Sequence, residues 1–213
     1  MKLIFPKSVF QYISDGRGFM NIIAHLFLGS AVRNYTCRQI GVKLSWSGFL
    51  LGNILPDISG EYSRYPHFLK DSIEYIAESA KDLSYNAEED VSMFEFSKQI
   101  GVINHYLSDY FCFAHCEEYK EDIYHHHFYE FMMLFALYRG LKSFKKNDPC
   151  RQTTPYELCS FIRARVAEYE REETCKLKDI DYALSVCSAA TVGLLQTSFY
   201  VRDNVSAAYG LTQ

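Results

Sequence analysis

The sequence predicts an all-α fold, and three observations carry the prediction. Apolar residues recur three and four positions apart along nearly the whole chain, the spacing of a buried helical stripe. No stretch alternates apolar and polar residues as a half-buried strand would. The 213 residues, 48% hydrophobic and 23% charged, fit one globular domain with ample core. No repeat, low-complexity run or linker divides them, so residues 1–213 are read as a single domain, a bundle of six or seven helices.

The first helix is expected over Phe19–Val32, where Ile22, Ile23, Leu26 and Phe27 share one stripe. Residues Gly41–Ile54 are apolar but rich in glycine. The run from Asn53 through Pro56 and Asp57 to Gly60 reads as a loop, because Pro and Gly both interrupt helices. A helix follows over Phe68–Leu83 and a long one from Val91 to about His115, with Phe94, Ile100, Ile103 and Leu107 inward. Another is expected over His126–Lys142. After a polar loop, Thr154-Pro155-Tyr156-Glu157 looks like a helix start. Thr is the cap, Pro the first helical residue, and Glu can return to the cap amide. That helix runs to about Arg171, and a last one covers Asp179–Tyr200.

Twenty-six acidic residues against 22 basic ones leave a net charge of −4. With no cationic excess to neutralise phosphates, a stable nucleic-acid partner is not expected. The aromatic share of 16% points to a large aromatic core or an aromatic-lined cleft. The start, Met1 to Pro6, is too short and too soon broken to be an export leader. The longest apolar stretch, Ala183–Val201, contains Ser185, Ser188, Thr191, Gln196, Thr197 and Ser198, and so reads as a buried helix rather than a membrane span. The seven cysteines make an odd count, which argues against a complete disulfide framework. The expected location is cytoplasmic, with reduced thiols and no transmembrane segment.

Five of the seven histidines fall between residues 105 and 127, where random placement puts fewer than one. Their spacing carries more than their number. His105 and Asp109 lie four apart, one helical turn from each other on one face, so an imidazole and a carboxylate can reach one cation. His126 and Glu130 repeat the arrangement. The alternative register, His127 with Glu130, is also within reach. Imidazole and carboxylate are good ligands for zinc. His115 stands six residues beyond Asp109, about 240° around a straight helix. It therefore faces a second site, or the helix ends before it. Taken alone, His25 reads as a core histidine, Asp57 as an Asx-turn residue and His67 as a surface residue before a helix. Cys112 and Cys116 flank His115 but have no second pair at zinc-finger spacing, so they read as buried thiols. Tyr106, Tyr110 and Tyr129 either line a cleft or pack between helices.

In order, His25, Asp57, His67, His105-x3-Asp109-x5-His115 and His126-x3-Glu130 resemble the ligand ladder of the bacterial zinc-dependent phospholipase C family, and more distantly the single-strand-specific zinc nucleases. The resemblance covers roughly residues 20–135. It implies an all-helical fold and two or three zinc ions. Asp57, His67, His105 and Asp109 would hold the first, and His115, His126 and Glu130 the second. His25, with Asp109 as a bridge, would help hold a third. In the family an N-terminal tryptophan completes that third site, whereas the only tryptophan here is the internal Trp46. The implied activity is hydrolysis of a phosphodiester or phospholipid, with Asp57 serving as ligand and base. The alternatives are a metal-stabilised binding module without catalysis and a nuclease or nucleotide phosphatase on the same scaffold.

Overall fold

In the computed structural model, residues 19–62, 65–85, 91–116, 123–144 and 153–208 are described, and none of them is in a strand. Eight α-helices are found among them: α1 (Phe19–Ile40), α2 (Trp46–Gly52), α3 (Leu55–Ile58), α4 (Leu69–Tyr85), α5 (Met93–Asp109), α6 (Ile123–Phe144), α7 (Leu158–Arg171) and α8 (Lys176–Ala208). A 3-10 turn, Phe113–His115, stands between α5 and α6. The all-α expectation holds.

The helix ends follow local chemistry. Gly41, at φ +76°, closes α1 with its N–H on the Cys37 carbonyl at 3.0 Å, a left-handed cap that a side chain would strain. Ser45 caps α2 by accepting from the Gly48 amide at 3.2 Å, and Ser92 caps α5 in the same way through Glu95. Thr154 accepts from the Glu157 amide at 3.3 Å, although the regular helix begins only at Leu158 and Glu157 meets the Thr154 hydroxyl rather than its amide.

Two boundaries differ from the sequence reading in ways that matter for the site. The loop expected at 53–60 contains α3, one helical turn whose Pro56 lies in the first turn, where a missing N–H costs nothing. The long helix expected to reach His115 stops at Asp109 instead. There the chain tightens, with Phe111 N bonding Ser108 O at 3.2 Å and Cys112 N bonding Asp109 O at 3.0 Å, and it turns back through the 3-10 turn.

The last helix, α8, is the axis of the bundle: α1, α4, α5, α6 and α7 all pack on it. Its stretch from Val186 to Leu195 is buried on every side. That explains a long apolar run that is no membrane span, and no helix among the described residues is long and apolar enough to cross a membrane. Across the bundle, α2 lies against α5 at backbone distance. A Cβ on Gly101 would sit 2.3 Å from the Phe49 carbonyl, and one on Gly52 would sit 2.0 Å from the Lys98 carbonyl. This contact brings the end of α2, and the Asn53 that follows it, against the middle of α5.

Candidate metal centre

Six of the eight residues singled out in the sequence meet in one place. His25 comes from α1, Asp57 from α3, His67 from the segment before α4, His105 and Asp109 from the last turns of α5, and His115 from the end of the 3-10 turn. Among the described residues, side-chain ligand atoms fall within 4.8 Å of one another in three overlapping groups: His25, His105 and Asp109; Asp57, His67 and His105; and His67, Asp109 and His115. The backbones of His126 and Glu130 lie in α6, but their side chains, with that of His127, fall outside the described residues.

The two α5 residues are one turn apart, as their spacing requires, with His105 Nε2 3.3 Å from Asp109 Oδ2. The other oxygen of Asp109 lies 3.2 Å from His25 Nε2, and Oδ2 is also 2.9 Å from His67 Nδ1. Asp57 faces the same imidazoles at 3.5 Å from His105, 3.8 Å from His67 and 4.0 Å from His25. The stop of α5 at Asp109 settles the alternative left open for His115. On a continued helix it would point away, whereas the turn carries it back until its ring stacks near His67, centroids 6.1 Å apart.

Two imidazoles are pinned from behind. His105 Nδ1 lies 2.9 Å from the Asn53 carbonyl, which can only accept, so the neutral ring donates there and keeps its Nε2 lone pair inward. The Ser108 hydroxyl donates to the His105 carbonyl at 2.8 Å, so at 3.1 Å it accepts from His25 Nδ1. His25 Nε2 is then also a lone pair. Asn53 and Ser108 were missed by the sequence reading, because a backbone carbonyl leaves no signature and a serine three residues after a histidine is commonplace. A third support is Tyr106, whose hydroxyl reaches the Tyr62 and Tyr65 carbonyls at 3.0 and 3.2 Å and so braces the segment that presents His67. Tyr106 and Tyr110 are buried packing residues rather than a cleft lining.

With its imidazoles neutral, the site sets acceptors against acceptors. His25 Nε2, Asp57 Oδ2 and Asp109 Oδ2 are all buried and, among the described residues, without a hydrogen-bond partner. Such atoms are costly unless a cation or proton joins them. The pKa shifts express the same field. Burial opposes protonation of His105, but Asp57 and Asp109 outweigh it and raise the pKa from 6.5 to about 9. Burial likewise opposes ionisation of Asp109, yet His105, His25 and His115 hold its carboxyl well below the usual range. His105 is wholly buried and His25 and Asp109 nearly so, while His67 and His115 are only partly covered, so the centre opens on their side. Cys112 points its sulfur at Met133, 3.6 Å away, and belongs to none of the three groups.

A family model described as zinc dependent phospholipase C matches residues 24–176. The chain belongs to the zinc-dependent phospholipase C family. No curated protein and no solved structure matches it. The matched span holds all six converging residues together with His126 and Glu130. Membership in a zinc-dependent family agrees with the donor set, which among the described residues is imidazole and carboxylate.

Proposed function

We propose that the protein is a zinc-dependent phosphodiesterase of the phospholipase C type, acting on a phospholipid or related phosphodiester. The carrying observation is the convergence of three buried ligand atoms, on His25, Asp57 and Asp109, that have no hydrogen-bond partner among the described residues, with His105, His67 and His115 around them. The proposed ligands are those six, joined on sequence grounds by His126 and Glu130, for two or three ions. Zinc held there would supply a strong electrostatic clamp on phosphoryl oxygens and would make water acidic enough to ionise near neutrality.

The chain's own residues have distinct tasks in this reading. Asn53 and Ser108 keep the His105 and His25 rings in the tautomers that aim Nε2 inward. Asp109 offers one oxygen toward His25 and the other toward His67 and His105, which suits a bridging carboxylate. Asp57 is the proposed base, since its Oδ2 has no hydrogen-bond partner among the described residues and its residue is less deeply buried than Asp109. It would take the proton of the attacking water, and the leaving alkoxide would depart on the opposite face of the phosphorus.

The test is hydrolysis of a panel of zinc-supplemented phosphodiesters and phospholipids by the wild type and Asp109→Asn. Cleavage by the wild type and its loss in a folded Asp109→Asn chain are expected. Undiminished cleavage by that variant, or none by a zinc-loaded wild type across the panel, would overturn the reading. The proposed location is cytoplasmic.

A further inference from the structure

Behind the 3-10 turn lies a buried carboxylate to which the reading above gives no task. Asp179, in the first turn of α8, is 0% exposed. Its Oδ2 accepts from the Tyr129 hydroxyl at 2.6 Å and from the Phe113 amide at 3.4 Å, and its Oδ1 accepts from the Tyr169 hydroxyl at 2.8 Å. One side chain thus ties α6, the turn and α7 to the start of α8. The neighbouring cation is committed elsewhere: Lys178 donates to the Tyr169 and Glu172 carbonyls at 3.0 and 2.8 Å. An apolar contact would fasten helices with less desolvation. What a carboxylate adds is two acceptor oxygens that fix several donors at defined positions.

Two observations connect this clamp with the metal centre. Phe113 opens the turn that His115 closes. A cavity of about 20 Å³, room for roughly one water, is lined by Asp179 and Asp109 together with His25 and Ser108. Asp179 also lies beyond the residues matched by the family model.

We propose that Asp179 is a positioning residue for the metal centre, setting His115 against His67 and Asp109 by holding the turn and the adjoining Tyr129. This rests on the reading of His115 as a ligand. In Asp179→Leu a side chain of similar size carries no acceptor, so the Phe113 amide and both tyrosine hydroxyls lose their partner there. Tyr169→Phe is the control, since it removes only the tie to α7.

Two readouts separate the outcomes. In ¹⁵N-histidine spectra of the metal-free chain, the side-chain signals of His115 are expected to move toward those of free histidine in Asp179→Leu, while those of His105 stay. In zinc titrations against a chelator, the weakest-bound equivalent should lose at least tenfold in affinity. Tyr169→Phe should lower the melting temperature and leave both readouts in place. Should Asp179→Leu fail to fold, Tyr129→Phe, which loses one Oδ2 bond, is expected to shift His115 in the same direction by less. Unmoved His115 signals in the folded variant, or equal effects from Tyr169→Phe, would reduce Asp179 to a plain fastener and overturn the proposal. A wild-type chain that takes up no zinc would sink the metal reading, while the histidine spectra would still decide this one.

Discussion

Zinc and a proton compete for His105, and the structure sets the terms. Asp57 and Asp109 hold the ring's pKa at about 9, so at pH 7 roughly one metal-free molecule in a hundred has the Nε2 lone pair available. A metal that uses this nitrogen must displace the proton. Apparent zinc affinity should therefore rise about tenfold per pH unit from pH 7 and level off near pH 9, about a hundredfold in all from this group alone. Calorimetric titration at pH 7 in two buffers of different ionisation enthalpy should detect about one proton released per zinc at this position. Binding that is independent of pH between 7 and 9, with no proton released, would refute the pairing of His105 with the two carboxylates. Replacing Asp109 by Asn should lower the pKa of His105 and flatten the profile, because one of the two charges that raise it is gone.

Other consequences follow from the same contacts. Without metal, the folded chain binds one proton more than the unfolded chain between pH 6.5 and about 9. Urea unfolding in chelator should then show stability that is full below pH 6.5 and falls by about 3 kcal/mol as the pH rises through 9. Ser108→Ala removes the acceptor for His25 Nδ1, 3.1 Å away, and should weaken zinc binding by roughly 10–100-fold with little change in melting temperature. Gly101→Ala would place a methyl 2.3 Å from the Phe49 carbonyl and should cost about 1–3 kcal/mol in chemical denaturation as α2 and α5 separate.

The helical fold was legible because its signal is periodic and distributed over the whole chain. The site was legible for a different reason: imidazole and carboxylate one turn apart must share a face, and His105 and Asp109 do. What the sequence could not supply was the course of the chain between helices. The end of α5 at Asp109 depends on a tight turn among aromatic residues that carries no Gly or Pro, and only that end brings His115 back. The segment around Asp57 read as a loop, because Pro56 both breaks helices and begins them. His25 and His67 read as ordinary when taken alone, since each acquires its neighbours only through long-range packing of α1 and the segment before α4 against α5. Asp179 left no trace at all, because its donors are two tyrosines and an amide from three separate elements. His126 and Glu130 stand on their spacing and on the family resemblance.

Whether these lone pairs hold metal decides the chemistry of the site. Elemental analysis of untagged protein, purified without chelator, tests that most directly. Two or three zinc equivalents per chain are expected, with a loss of at least one in Asp109→Asn. A value near zero that zinc incubation leaves unchanged would contradict the account, and the acceptors of His25, Asp57 and Asp109 would then be joined by protons alone.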